Sequence, residues 1–179
     1  MPVEPQILKR REAARSRLFR VEELLLRFSN GAERVFERLC QPAHAGVLVV
    51  PMLDDDTVLL IREYGAGVED YYLGLPKGAC NPGEDRLRAA DRELMEEVGY
   101  GAHHLEFVKT LALSPSYMGH SIDVILARDL YRKRLPGDEP EPIEVVPWSL
   151  DNLSELMARD DFAEARSLAA LYLVRDLLR

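Results

Sequence analysis

The chain has 179 residues, a formal net charge of −8 and two cysteines, Cys40 and Cys80. That length suits one substantial domain with a small annex, and the acidity argues against a general nucleic-acid binder, which needs a basic face. No apolar run approaches a membrane span, and the N-terminus lacks the apolar stretch of a secretion signal. The cysteines are widely spaced and match no zinc pattern, so reduced thiols in a cytoplasmic protein are the expectation.

Residues 1–16 are polar and basic, with Glu4 and Glu12 among the arginines, and read as a loose arm. From Arg17 apolar positions alternate, Ser29-Asn30-Gly31 supplies a turn signal, and ERVFERL follows, so Arg17–Leu39 reads as a β-hairpin. HAGVLVVPML reads as a buried strand, Asp54-Asp55-Asp56 as a turn, and TVLLIREY as its partner strand. A helix is expected within 84–98. LEFVKTLAL, SIDVILARDL and EPIEVVPWSL then read as strands. LDNLSELMARD and FAEARSLAALYLVRDLLR read as two helices, the second introduced by Asp160-Asp161. The apolar stretch Leu168–Val174 is wide enough to need burial on more than one side, by core packing or by a dimer contact. Strands on both sides of one helix, with helices at the end, imply an α+β or α/β sandwich.

The segment Gly78–Tyr100, GACNPGEDRLRAADRELMEEVGY, is the most informative. Pro82-Gly83 makes a turn, Glu84 and Asp85 sit where carboxylates suit a helix N-terminus, and Gly99 suits a helix stop. At roughly 100° per residue Leu87, Ala90, Leu94 and Val98 share one stripe. Glu93, Glu96 and Glu97 fall opposite it, within a sector of about 100°. One guanidinium, Arg92, cannot offset three carboxylates on one face. Converging hard oxygen ligands suit Mg²⁺ or Mn²⁺. The bland alternative is a solvated charged helix face, but the glycine loop can return the chain so that the Gly78 carbonyl meets the glutamates. Cys80, a poor partner for such a cation, reads as loop filler.

The order G-x5-E-x7-R-E-L-x-E-E-x-G-Y resembles the Nudix box of hydrolases that cleave nucleoside diphosphates linked to another group. Beyond the box, SRLFRVEELLLRFSNGAERVFER, LIREY, SPSY and GDEPEP are similar to the ADP-compounds hydrolases of the NudE type, which act on ADP-ribose, NADH and diadenosine polyphosphates. The resemblance implies an α/β class, a Nudix-type α/β/α sandwich with a mixed sheet and an N-terminal β-hairpin annex. Residues 1–42 would be the arm and annex, and residues 43–179 the hydrolase domain. It also implies a cytoplasmic homodimer that acts on a small ADP-linked molecule, with neither nucleic acid nor membrane as a partner.

By that resemblance Gly78, Glu93, Glu96 and Glu97 hold Mg²⁺ (Mn²⁺ being the other choice), and Arg92 holds the glutamates in position. Glu96 shares a metal or orients the attacking water. A general base is drawn from the acidic loop Gly137–Glu141, with Glu139 first and Glu141 second, unless that loop is only a solvated turn. Arg62 is expected on the diphosphate or terminal ribose, or else in a structural salt bridge. Ser114 and Tyr117 are candidates for substrate binding, with Phe19 and Phe36 as other rings for adenine. His103-His104 reads as a surface loop and Trp148 as a core residue. Two departures stand out: where many ADP-ribose hydrolases carry Arg and Glu, this chain has Gly65 and Gly74. Two rival functions stay open, a non-catalytic nucleotide sensor and a hydrolase of nucleoside triphosphates or capped RNA.

Overall fold

The computed structural model describes residues 3–40 and 46–178. The chain divides into two compact units, one of Met1–Ala43 with Ala112–Ser121, the other of His44–Leu111 with Ile122–Arg179. The expected boundary at residues 42 and 43 lies outside the described residues.

The first unit is an antiparallel three-stranded sheet in the order β1-β2-β3, formed by Gln6–Arg15, Arg20–Arg27 and Glu33–Leu39. The Ser29–Gly31 hairpin forms as expected. Gly31 takes φ 80°, and Asn30 Oδ1 accepts the Ala32 N–H at 3.0 Å. Most of the expected loose arm is a strand, because β1, Gln6–Arg15, pairs along its whole length with β2, from Gln6↔Arg27 to Arg15↔Arg20. Nearly every side chain of β1 is exposed, so it lacks the apolar alternation that would announce a strand. Residues 112–121 join this unit through a parallel bridge between Leu39 and Met118.

The second unit carries two sheets. One runs β10-β5-β6, the other β7-β4-β9-β8. Their strands are β4 Gly46–Pro51, β5 Thr57–Gly65, β6 Asp70–Gly74, β7 Lys77–Ala79, β8 Tyr100–Ala112, β9 Ser121–Arg132 and β10 Glu144–Ser149. The second sheet is mixed, since β4 pairs antiparallel with β7 and parallel with β9. The helices are α1 Arg86–Glu93, continued by a π-helical turn Leu94–Val98, then α2 Leu153–Met157 and α3 Ala165–Leu178. Alternate residues of the central strands serve opposite cores, as the two-residue period of a strand requires. Val47, Val49, Leu59 and Ile61 pack with Ala90, Leu94 and Val98 of the α1 region. Leu48, Val50, Val58 and Leu60 pack with Leu156, Leu171 and Val174 of α2 and α3. The result is the expected α/β/α sandwich.

Several local expectations change. β4 and β5 are not partners beyond a bridge at Met52↔Val58, because each is buried on both faces and enters a different sheet. Pro147 lies within β10, at the edge of its sheet, where a missing donor is tolerated. α3 is introduced by Glu164, whose carboxylate accepts the Ser167 N–H at 2.8 Å, and not by Asp160-Asp161. A single stripe of α3, Ser167, Ala170, Leu171 and Val174, is fully buried, while Tyr172 is exposed. His103 and His104 stand exposed in β8 instead of a loop, with His104 Nδ1 2.5 Å from Asp129. Trp148 is half-buried against the α3-side core and donates from Nε1 to the Asn152 carbonyl at 3.1 Å.

Candidate active site

The glutamate-bearing helix begins at Asp85, whose side chain accepts the Leu87 N–H at 2.9 Å. Glu84, just before it, accepts the Asn81 N–H at 2.8 Å and both arms of the Arg92 guanidinium at 3.0 Å. The helix ends at Gly99, left-handed at φ 82°, as the stop signal implied. Its last turn departs from the regular α-helix assumed from spacing. The Gly99 N–H bonds the Leu94 carbonyl at 3.1 Å, five residues back. Glu93 and Glu97 are buried, 8% and 4% exposed, against the β7 loop, and Glu96 is more open.

Arg92 is the hub of this cluster. Its Nη1 reaches Glu93 Oε1 and Glu96 Oε2, each at 2.8 Å, and its Nη2 donates to the Ala79 carbonyl at 2.9 Å. Those contacts hold the guanidinium proton more firmly than usual, above all the bond to Glu84, and they hold the Glu84 carboxyl below its ordinary range. Gly78 stands in β7 directly beside Glu93. Any side chain there would run into the Glu93 carboxylate, which is a physical reason for glycine at this position. Cys80 is buried in the same loop and packs with the α1-side core, as loop filler should.

Glu97 accepts the Lys77 main-chain N–H at 2.9 Å. Burial, reinforced by the charges of Glu63 and Glu93, pushes its carboxyl up to about 8 despite Lys77 nearby. Burial likewise raises Glu93, with Glu96 and Glu139 adding to it against Arg92. Lys77 pairs with Glu63, which also accepts the Tyr72 hydroxyl at 2.6 Å. Among the described residues the carboxylates of Glu63, Glu84, Glu93 and Glu96 pair with two cations, Lys77 and Arg92. Glu97 has the Lys77 N–H, and Arg134 reaches the Glu96 main-chain carbonyl at 3.4 Å. This surplus of hard oxygen donors, two of them buried with raised proton affinity, fits a divalent cation. Among the described residues no three ligating side chains stand together as a finished cage. Arg92 and the Lys77 N–H hold those oxygens instead.

The remaining candidates divide. Arg62, Glu139 and Glu141 line one cavity of about 250 Å³ together with Glu63 and Tyr71. Arg62 bonds Glu144 and Asp161, each at 2.8 Å, so in this structure it is a salt-bridge residue. Glu141 accepts the Tyr71 hydroxyl at 2.5 Å. Ser114 and Tyr117 lie in the first unit, where the Ser114 carbonyl accepts the N–H groups of Tyr117 and Met118 and the Tyr117 ring is exposed. Phe19 and Phe36 also belong to that unit and are exposed. Sequence reasoning missed Glu63, Tyr72 and Lys77. The signal for them was an acidic and a basic residue set in the apolar surroundings of TVLLIREY and LGLPKG.

Comparison with known proteins identifies the family. The model of the NudE-type Nudix hydrolase N-terminal domain matches residues 5–38, and that of the NUDIX domain matches residues 42–171. The ADP compounds hydrolase NudE of Escherichia coli (strain K12) is 48% identical over 175 residues, covering 98% of this chain and 94% of that protein. The ADP-ribose pyrophosphatase of Bacillus subtilis (strain 168) is 27% identical over 131 residues, covering 72% and 71%. A crystal structure of an ADP compounds hydrolase superposes with a TM-score of 0.93 at 47% identity, covering 99% of this chain and 96% of that one. With a NUDIX domain behind a NudE-type N-terminal domain, the chain belongs to the Nudix hydrolases and is a pyrophosphohydrolase.

Proposed function

We propose that the protein hydrolyses the diphosphate bond of ADP-linked compounds, ADP-ribose, NADH and diadenosine polyphosphates, and releases AMP. The observation that carries the reading is the surplus of carboxylates over cations around Glu93 and Glu97, joined to the likeness to an ADP compounds hydrolase over nearly the whole chain. Mg²⁺, or Mn²⁺ in its place, held by Glu93, Glu96, Glu97 and the Gly78 carbonyl, would offset the charge of the two phosphates and polarise the phosphorus.

The chain's own groups divide the remaining work. Arg92 offsets the repulsion between Glu93 and Glu96 and orients both through one shared nitrogen. Glu96, the more open of the box glutamates, orients the attacking water. Glu139 takes the water's proton. Its charge is felt at Glu93, whereas Glu141 is engaged by Tyr71, which favours Glu139 of the two. Arg62 serves the phosphates once it exchanges one of its carboxylate partners for them. Ser114 and Tyr117 are assigned to the nucleoside end of the substrate. A cytoplasmic homodimer, with the annex as its contact, completes the reading.

The test is product release by the purified protein with Mg²⁺, AMP from ADP-ribose, NADH and diadenosine triphosphate and dGMP from dGTP, measured in parallel. AMP from the ADP-linked compounds with dGTP untouched is expected. Turnover of dGTP alone, or ADP-ribose binding with no turnover of any compound, would refute it.

A further inference from the structure

Gly65 and Gly74, the two departures noted in the sequence, flank a single aromatic ring. In the β5–β6 register Glu63 stands opposite Tyr72, with Gly65 and Gly74 two places away on either strand. A Cβ on Gly65 would lie 2.9 Å from one edge of the Tyr72 ring, and a Cβ on Gly74 3.4 Å from the other. So seated, Tyr72 donates its hydroxyl to Glu63 Oε1, the oxygen that also takes the Lys77 ammonium. Lys77 in turn donates its main-chain N–H to Glu97. The Lys77 side chain is 13% exposed, so the ammonium has little water to turn to.

A cation in this position has two possible partners. Paired with Glu63, it is neutralised at the margin of the site. Released from Glu63, it would turn its charge on Glu97 and compete with any divalent cation for that carboxylate. We infer that Tyr72, Glu63 and Lys77 form a charge-balanced support that sets the affinity of the Glu93–Glu97 site for its divalent cation. Glu63 is its central positioning residue. This rests on the reading of that site as a cation site. The two glycines exist, on this account, to let Tyr72 lie flat and fix the Glu63 carboxylate on Lys77. An unbalanced unit charge within a few ångströms of a divalent cation should change its affinity by about tenfold or more.

Mn²⁺ binding to the full-length metal-free protein, followed by the electron paramagnetic resonance of free Mn²⁺, tests this without any turnover. Glu63→Gln frees the Lys77 charge and should weaken Mn²⁺ binding about tenfold. Tyr72→Phe should weaken it less, in the same direction. Glu63→Gln combined with Lys77→Met carries no net charge and should return to within roughly threefold of the natural protein, a coupling that a merely structural role would not produce. Melting curves establish that each variant folds, and Lys77→Gln replaces Lys77→Met if the double variant does not. Equal affinity in Glu63→Gln, or a double variant as weak as the single one, overturns the inference. Absence of Mn²⁺ binding by the natural protein would instead overturn the cation-site reading itself, and this inference with it.

Discussion

Ser167 ties α3 to the short link between β6 and β7, and its removal has a calculable cost. The side chain is fully buried, and its Oγ accepts the Leu75 N–H at 2.9 Å while donating to Glu164 Oε2 at 2.8 Å. In Ser167→Ala the Leu75 N–H has no acceptor and no water, a loss of about 1–3 kcal/mol. Glu164 keeps the Ser167 N–H and Arg166, so its own loss is small. The higher helix propensity of alanine returns about 0.5 kcal/mol. The balance is a destabilisation of about 1.5 kcal/mol, which for a chain of this size lowers Tm by about 3–6 °C. The chain has one tryptophan, Trp148 in the second unit, so urea unfolding followed by its fluorescence reads the unit that matters. Because Leu75 stands two residues before Lys77, kcat should fall as well. Stability within about 0.5 kcal/mol of the natural protein would show that the Leu75 N–H does not depend on Ser167.

Glu97→Gln should lower turnover more than about a hundredfold while the protein still folds, since the amide oxygen can accept the Lys77 N–H; AMP release with Mg²⁺ measures it, and activity within a few-fold would sink the assignment of Glu97. Glu139→Gln should lower kcat by about a hundredfold or more, and Glu141→Gln far less; the reverse order would move the base to Glu141. Asp161 lies well below the ordinary carboxylate range, held there by Arg159 and then Arg62 against the opposing effect of burial. A depressed carboxyl stabilises the fold above its unfolded value and loses that stabilisation as pH falls. Asp161→Asn should therefore be less stable than the natural protein at pH 7, with the difference beginning to shrink only below roughly pH 4 and narrowing steadily as the pH falls further. Urea titrations at pH 7 and at a series of pH values below about 4 check this, and a gap that does not narrow across that series would count against it.

The box glutamates, the stop at Gly99 and the Ser29–Gly31 turn were legible because each depends on residue type at short range. The helix stripe of Leu87, Ala90, Leu94 and Val98 was legible for the same reason, and all four contribute to one core. What escaped depends on neighbours distant in sequence. β1 is a strand only because β2 supplies its hydrogen bonds. β4 and β5 are both continuously apolar, and nothing local says that they enter different sheets. Lys77, Glu63 and Tyr72 meet through a pairing of β5 with β6, and β6 itself has no clean alternation to announce it. Arg62 was recognised as a residue with a choice of partners, but its partners Glu144 and Asp161 lie on remote segments.

The π-helical turn at Leu94–Val98 has a consequence for engineering. An extra residue held in a helix is a local excess that the backbone would shed if it could, because the α-helix has the better hydrogen-bond geometry. Substitutions that raise generic helix propensity around Met95 therefore favour a tighter winding than the one that now carries Glu96 and Glu97. Consensus-style thermostabilisation of this helix should trade activity for melting temperature, whereas the same substitutions on the exposed face of α3 carry no such penalty. A graft of the helix onto a regular scaffold would carry the helix residues across and still lose the winding that places Glu96 and Glu97.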